Sequence, residues 1–341
     1  MMRAALSHRR VIIVGAGQAG LAVAAALSYE GLRPQRDFVL IDANDTGQRT
    51  WGTRWHSMSL LSDARHSVLP PRRFPGDQRR HPRTDEMADY LTMVEGALGV
   101  ETVWGVKATG VEHLGNGSTL LLSTTEGDVQ TRNVVCATGA AACPRLPEWA
   151  ASLAVPGAAM HSSDYHYPRQ LPDGDVLVIG GGNSGVQIAR ELASSHTVAL
   201  SVRSPRRHRP TALYPTASGD SRIWPSGKWR REPVFGGGYE ELKRQGVTIV
   251  PATVAADGPA VMFAGGTQAR PMSVIFATGY GPADGWLPSD AESGGKRARS
   301  ATGLPGLFVA GMPQYGGHGV DTIAGVWRDA RRIARYIADR P

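Results

Sequence analysis

The stretch "RRVIIVGAGQAGLAVAAALSYEG", residues 9–31, constrains this chain more than any other. An apolar run of strand length, Val11 to Val14, meets Gly15, Gly17 and Gly20, and an Ala/Leu-rich run of helix length follows and stops at Gly31. In that order each glycine has a mechanical purpose. Gly15 makes the tight turn, Gly17 lets backbone approach a pyrophosphate, and Gly20 lets helix and strand pack closely, with the helix N-terminus facing the phosphate charge. The next apolar strand, "DFVLIDA", ends at Asp42, an acid placed to accept hydrogen bonds from ribose hydroxyls. A GxGxxG by itself is a weak signal; strand, glycine loop, helix, strand and terminal acid in sequence predict a dinucleotide site.

The pattern restarts at "DVLVIGGGNSGVQIARELASSHTVALSVRSPRR", residues 175–207. Gly180, Gly182 and Gly185 repeat the motif, with Asn183 and Ser184 opening the helix as further cofactor-binding candidates. At the strand end Arg203, followed by Arg206 and Arg207, stands where the first copy has an acid. Guanidinium groups grip a 2′-phosphate in bidentate fashion, so NADPH is expected here rather than NADH. Two dinucleotide sites in one chain imply electron transfer from a soluble nicotinamide carrier to a tightly held flavin.

With 341 residues the chain exceeds the size of one ordinary core, so two domains are expected. After the first motif comes a Trp- and Arg-rich loop (Trp51, Arg54, Trp55), then "RTDEMADYLTMVEGALG", a helix with Thr84 as N-cap and acids in its first turn. Alternating segments joined by the turn pair Asn116–Gly117 follow, and the chain returns to the first unit as "VVCATG". Beyond the second motif, residues 204–238 are irregular and rich in Pro, Gly, Arg and Trp, which reads as a lid or binding loop, or else as disorder. Tyr214, Trp224 and Trp229 in it are candidates for a substrate wall, and its tryptophans suit a homodimer contact. The chain ends in a strand, a Gly-rich loop and a helix starting near Gly319 to Asp321, with Ile323, Val326, Ala330, Ile333 and Ile337 as its core face. The expected fold is α/β: two Rossmann-like dinucleotide-binding domains, the second inserted into the first, with an antiparallel β excursion. The FAD-binding domain comprises 1–155 and 300–341, and the NADPH-binding domain 156–299.

Composition narrows the function. No apolar run reaches the length of a membrane span, and the N-terminal apolar stretch enters the glycine motif without a cleavage site, so a cytoplasmic protein without a membrane partner is expected. The formal charge of +7 comes almost wholly from arginine, since Lys107, Lys228, Lys243 and Lys296 are the only lysines. The cluster "RSPRRHRP" adjoins the second glycine motif, where a 2′-phosphate explains it better than nucleic acid does. Cys136 and Cys143 are the only cysteines, wrongly spaced for a CxxC pair or a zinc site, so no metal and no catalytic thiol are expected.

Between the motifs, Val155-x-Gly157-x-x-x-His161-x-x-x-Tyr165-His166 resembles the fingerprint F-x-G-x-x-x-H-x-x-x-Y of the class B flavin-dependent monooxygenases, with Val in its first position. The paired glycine motifs and two "ATG" turns, Ala137 to Gly139 and Ala277 to Gly279, share that resemblance, which spans nearly the whole chain. The segment "TWGTRWHSMSLLSDARHSVLP" is similar to the W-x-x-R stretch of the plant auxin-forming branch and its small bacterial relatives. The resemblance implies an NADPH-consuming enzyme whose FAD forms a C4a-hydroperoxyflavin with dioxygen and oxygenates a soft N or S of a small molecule. Tyr165-His166 fits the Trp-Pro ending of the Baeyer–Villiger variant poorly, which favours a heteroatom substrate. It further implies that Trp51, Arg54, Gly139 and Gly311 serve the FAD and Gly279 the NADPH. Gly157, His161 and Tyr165 would then brace the junction between domains, and no side chain is assigned as catalytic. Two rival readings remain: a flavin reductase or oxidase of the same architecture without oxygen insertion, and a non-catalytic nucleotide-binding sensor.

Overall fold

Strand β1 (Val11–Val14) is four buried apolar residues and lies in the middle of a five-stranded parallel sheet. The structure is a computed structural model that describes residues 6, 9–115, 119–214, 232–289, 291, 301–317 and 319–340. Helix α1 (Gln18–Tyr29) follows β1, and its Ala19–Leu27 stretch is buried all round, as expected of a helix with no polar face. Strand β2 (Phe38–Asp42) runs parallel to β1, with Ile41 opposite Val14. Helix α2 (Thr84–Leu98) buries Met87, Tyr90, Leu91 and Val94 in the same core as α1. Its N-cap is Arg83, not Thr84. The Thr84 side chain is buried inside the helix, and the Glu86 carboxylate accepts the Arg83 N–H at 2.9 Å.

The short strand β3 (Val103–Trp104) extends the sheet beyond β2. The chain then leaves to build an antiparallel unit from β4 (Ala108–His113), β5 (Leu120–Thr124) and β6 (Gly127–Thr131). The expected Asn116–Gly117 turn between β4 and β5 lies outside the described residues. Strand β7 (Asn133–Cys136) returns to the other side of β1.

After a two-residue strand, β8 (Cys143–Pro144), a second parallel sheet begins with β9 (Ala159–His161) and β10 (Asp175–Ile179). Helix α3 (Asn183–Leu192) and strand β11 (Thr197–Ser201) complete the second copy of the motif. The parallel pair β12 (His208–Arg209) and β13 (Val234–Phe235), helix α4 (Tyr239–Arg244) and strand β14 (Thr248–Val250) follow. A second antiparallel unit, β15 (Thr253–Asp257), β16 (Ala260–Phe263) and β17 (Gln268–Ala269), precedes the returning strand β18 (Ser273–Phe276). The sheet order is β14-β11-β10-β18-β9, so the motif strand is again central. This second antiparallel excursion is absent from the sequence reading.

Strand β19 (Tyr280–Gly281) pairs antiparallel with β8, which holds the two chain crossings side by side. Strand β20 (Leu307–Val309) then joins the free edge of β7 and completes the first sheet as β20-β7-β1-β2-β3. One sheet thus draws on residues 11–136 and 307–309 and the other on residues 159–276. Helix α5 (Ile323–Ala338) closes the first core, with Ile323, Val326, Ala330, Ile333 and Ile337 all buried beside α1. It starts later than expected because Gly319 has φ +79°, outside the helical region. Thr322 caps it by accepting the Gly325 N–H at 3.0 Å. Among the described residues no helix is long and apolar enough to cross a membrane.

Candidate cofactor site

The first glycine loop is a close fit between β1, α1 and the turn after β7. Gly15 has φ +111°, and a Cβ there would overlap the Ala137 carbonyl oxygen, so the first "ATG" turn lies directly against the loop. A Cβ at Gly20 would overlap the Gly15 carbonyl oxygen, which is why helix and strand approach so closely. Gly17 differs: it caps α1, and a Cβ there meets nothing within 4 Å. Open space at the N-terminus of a twelve-residue helix, whose first N–H groups have no partner inside the helix, is a cradle for phosphate.

Both polar groups of the Ala16 peptide are clamped. Asp42 Oδ2 accepts the Ala16 N–H at 2.7 Å, while Oδ1 accepts the Asn44 N–H at 2.9 Å, so both carboxylate oxygens fix backbone beside the loop. On the other side Arg49 Nε donates to the Ala16 carbonyl at 3.1 Å. The Arg49 side chain is only 2% exposed; it donates to Thr92 Oγ1 at 2.8 Å, pairs with Glu95 and stacks over Trp104. Glu95 in turn accepts the Thr102 N–H at 3.1 Å. Sequence reasoning missed Arg49 and Glu95, because charged residues outside a motif read as surface.

Trp51 donates its indole N–H to Gln18 Oε1 at 2.7 Å and packs against the first core. Gly311, with φ +72°, brings the end of β20 so close to α1 that a Cβ would lie 2.8 Å from the Ala19 methyl. Arg54 reaches across to the second unit. It stacks over the Tyr280 ring at 4.4 Å, hydrogen-bonds the Tyr280 hydroxyl and donates to the Ala141 carbonyl at 3.0 Å, between the ends of the two "ATG" turns.

The second loop repeats the backbone of the first. Gly180 has φ +123° and lies against the Ala277 carbonyl, Gly185 against the Gly180 carbonyl, and Gly139 and Gly279 share φ near +96° and +92°. The surroundings differ. Gly180 N–H bonds the Ser201 carbonyl as Gly15 N–H bonds that of Ile41, which puts buried Val202 where the first unit has Asp42; Arg203 is one residue farther on and exposed. The Gly181 carbonyl accepts from the Tyr239 hydroxyl at 2.6 Å. Arg206 lies over Gly182, its guanidinium 3.5 Å from where a Cβ would be, and donates to the Glu232 carbonyl at 3.1 Å, while Arg207 is exposed. Asn183 accepts the Phe235 N–H at 2.8 Å and donates to the Pro233 carbonyl at 3.2 Å; Ser184, beside it at the helix start, is half-buried. Tyr214 packs edge-on against Phe235, and Trp224 and Trp229 lie outside the described residues.

The segment around Gly157 belongs to the second unit. A Cβ on Gly157 would sit 2.6 Å from Pro172 and 2.8 Å from the Met272 carbonyl, so this glycine serves packing. His161, in edge strand β9, accepts the Ser163 N–H at Nδ1 (3.1 Å), which leaves Nε2–H to donate to the Gly279 carbonyl at 3.1 Å. Burial lowers the pKa of this imidazole. The Tyr165 hydroxyl donates to Glu191 on α3 at 2.7 Å, and burial together with that carboxylate pushes the phenol above its usual range. Both residues brace the second loop and its helix, and both lie beside residues that reach the first unit: Tyr165 shares a core with Trp55, and the His161 ring packs edge-on against Tyr280, over which Arg54 stacks. Cys136 is buried and its thiol is pushed up to about 11 by burial, while Cys143 is exposed.

The sequence matches the pyridine nucleotide-disulphide oxidoreductase family over residues 12–311. The chain belongs to that family. Within it the chain is 30% identical to an uncharacterized CzcO-like oxidoreductase of Geobacillus kaustophilus, over 96% of this chain and 97% of that protein. It is 25% identical to the indole-3-pyruvate monooxygenase YUCCA4 of Oryza sativa subsp. japonica, over 96% and 87% of the two chains. The flavin-containing monooxygenase of Stenotrophomonas maltophilia superposes with a TM-score of 0.79 at 26% identity, covering 96% of this chain and 97% of that one. This member of the family is a class B flavin monooxygenase-like oxidoreductase, and its cofactors are FAD and NADPH. The geometry is compatible with two dinucleotides: there are two glycine loops, each on a helix N-terminus, one beside an acid and one beside Arg206.

Proposed function

We propose that this chain is an NADPH-consuming, FAD-dependent monooxygenase that oxygenates a soft N or S centre of a small molecule. When bound, FAD supplies the oxygen transfer through the hydroperoxyflavin chemistry set out above. The observation that carries this reading is the pair of glycine loops, one on each parallel sheet, in a sequence whose two cysteines do not form a dithiol. Cys136 is buried with a raised pKa, Cys143 stands alone on the surface, and the electrons of NADPH therefore have no internal disulfide to reduce. The indole-3-pyruvate monooxygenase relatives support oxygen as the acceptor.

In this reading FAD occupies a discontinuous domain, 1–155 and 300–341, and NADPH the inserted domain, 156–299. Gly15, Gly17 and Gly20 hold the FAD pyrophosphate on α1, Asp42 orients its ribose, and Arg49 keeps the loop in shape from behind. Gly180, Gly182 and Gly185 hold the NADPH pyrophosphate on α3, and Arg206 grips the 2′-phosphate. His161 fixes the second "ATG" turn through Gly279. Arg54 and Tyr280 cap the space between the two turns and help to exclude water, which a peroxide-forming site requires.

The test is anaerobic reduction of the purified flavoprotein with NADPH followed by mixing with oxygenated buffer in stopped flow. A transient flavin absorbance distinct from both the reduced and oxidised forms, lasting seconds with NADP⁺ present and discharged by an amine or sulfide, is expected. Direct return to oxidised flavin, with peroxide released in proportion to NADPH consumed whatever nucleophile is added, would replace the proposal with the reductase or oxidase reading.

A further inference from the structure

Residues 51–59 are seated in both halves of the molecule. Trp51 packs against the core of the first unit and is tied to Gln18 of α1. Four residues later Trp55, 1% exposed, is buried in the core of the second unit among Tyr165, Leu171 and Val186. Arg54, between them, stacks on Tyr280 just past the second "ATG" turn. His56 N–H then donates to the His166 carbonyl at 2.8 Å, and its ring lies beside those of His166 and Tyr167. Met58 packs against the second core as well. The same short segment turns back to the first unit, where the Met58 carbonyl accepts the Thr84 N–H at the start of α2. Two crossing strands, β8 and β19, pair with each other beside it.

A large rotation of one unit on the other would pull Trp55 out of a core it helps to fill, and the apolar surface it buries opposes that movement. We infer that Trp51–Met58 is an interdomain staple that fixes the two nucleotide sites relative to each other, so that NADPH reduces the flavin without rotation of the domains, with Trp55 as the positioning residue. The Trp55 indole N–H has no partner among the described residues, so the side chain acts through its volume and not through a hydrogen bond. This rests on the assignment of FAD and NADPH to the two loops and is independent of whether oxygen is transferred.

The experiment reads anaerobic flavin reduction, which precedes any oxygen chemistry, together with NADP⁺ affinity and solution scattering. In Trp55→Ala the rate at saturating NADPH is expected to fall about tenfold or more, since small misplacement of reacting atoms costs factors of this size. FAD content and NADP⁺ dissociation constant should stay at wild-type values, and Trp55→Phe should restore most of the rate. A wild-type rate in Trp55→Ala, or a slower rate explained wholly by weaker NADP⁺ binding, would overturn the proposal. The double variant His56→Cys/His166→Cys, whose backbones are already hydrogen-bonded across the junction, gives a reversible lock. With the disulfide formed, flavin reduction should match that of the dithiothreitol-treated protein; slowing that the reductant reverses would show that the domains must move. Wild-type scattering profiles with and without NADP⁺ should superimpose, and a change in radius of gyration would count against the staple.

Discussion

In the first nucleotide loop the peptide between the glycines, Ala16, is held by charge on both sides, Asp42 on its N–H and a buried Arg49 on its carbonyl. In the second loop the corresponding Gly181 carbonyl accepts from the neutral hydroxyl of half-buried Tyr239, and Val202 stands where the acid would be. The backbones are near copies, but their supports differ in kind. A charged, dry clamp that is complete without the nucleotide suits a cofactor that stays for the life of the protein. A neutral clamp with an arginine at the rim suits one that must leave on every turnover. The two loops thus differ behind the glycine motif, in residues that the motif does not include.

The sharpest way to break this comparison is to damage each loop at the same place. Gly20→Ala and Gly185→Ala each drive a methyl into the carbonyl of the first glycine. Gly20→Ala is expected to yield protein without flavin after desalting, whereas Gly185→Ala keeps its flavin and loses NADP⁺ binding by calorimetry. Next in size is the support itself. Arg49→Met leaves Glu95 partly buried and unpaired, a loss of about 3–5 kcal/mol for such pairs, read as a lower thermal midpoint and faster flavin release. Tyr239→Phe removes two neutral hydrogen bonds, the one given to the Gly181 carbonyl and the longer one taken from the Arg206 N–H, about 1 kcal/mol each, and should weaken NADP⁺ binding by about thirtyfold at most. Third, Arg206→Gln should lower the preference for NADPH over NADH by about tenfold, the worth of a charged hydrogen bond, while FAD content is unchanged. Equal loss of NADPH and NADH would place Arg206 on the pyrophosphate instead.

The smallest effect is a pH dependence confined to the second loop. His161 has a lowered pKa in the folded chain, so the unfolded chain binds its proton more readily. The stability it contributes is present above its unperturbed value of 6.5 and is lost as pH falls from there towards the folded pKa. NADP⁺ affinity should decline over that window in wild type and much less in His161→Gln, with flavin retention flat in both.

The glycine loops, Asp42 and the core face of α5 were legible because local spacing dictates them: a tight turn needs glycine, and a buried helix face repeats every three to four residues. Arg49 was not legible, since its role depends on Thr92 and Glu95 arriving from a helix more than forty positions away. Trp55 was visible as a residue but not as a member of the second core, because nothing nearby in sequence indicates that a loop of one unit ends up among the side chains of the other. The fingerprint segment names its residues but not their partners. His161 and Tyr165 bond to Gly279 and Glu191, partners fixed by the pairing of β9 with β18 and by the packing of α3. The second antiparallel excursion has little signature in the sequence, because β15, β16 and β17 are only five, four and two residues long.

Strand β20 joins β7 across an interval that contains the entire second sheet, and α5 covers α1 only after β20 is in place. On a ribosome the inserted unit is therefore finished while the first still lacks an edge strand and the helix that seals its core. The first glycine loop, though it comes first in the sequence, is thus the last to have all of its supporting elements synthesised.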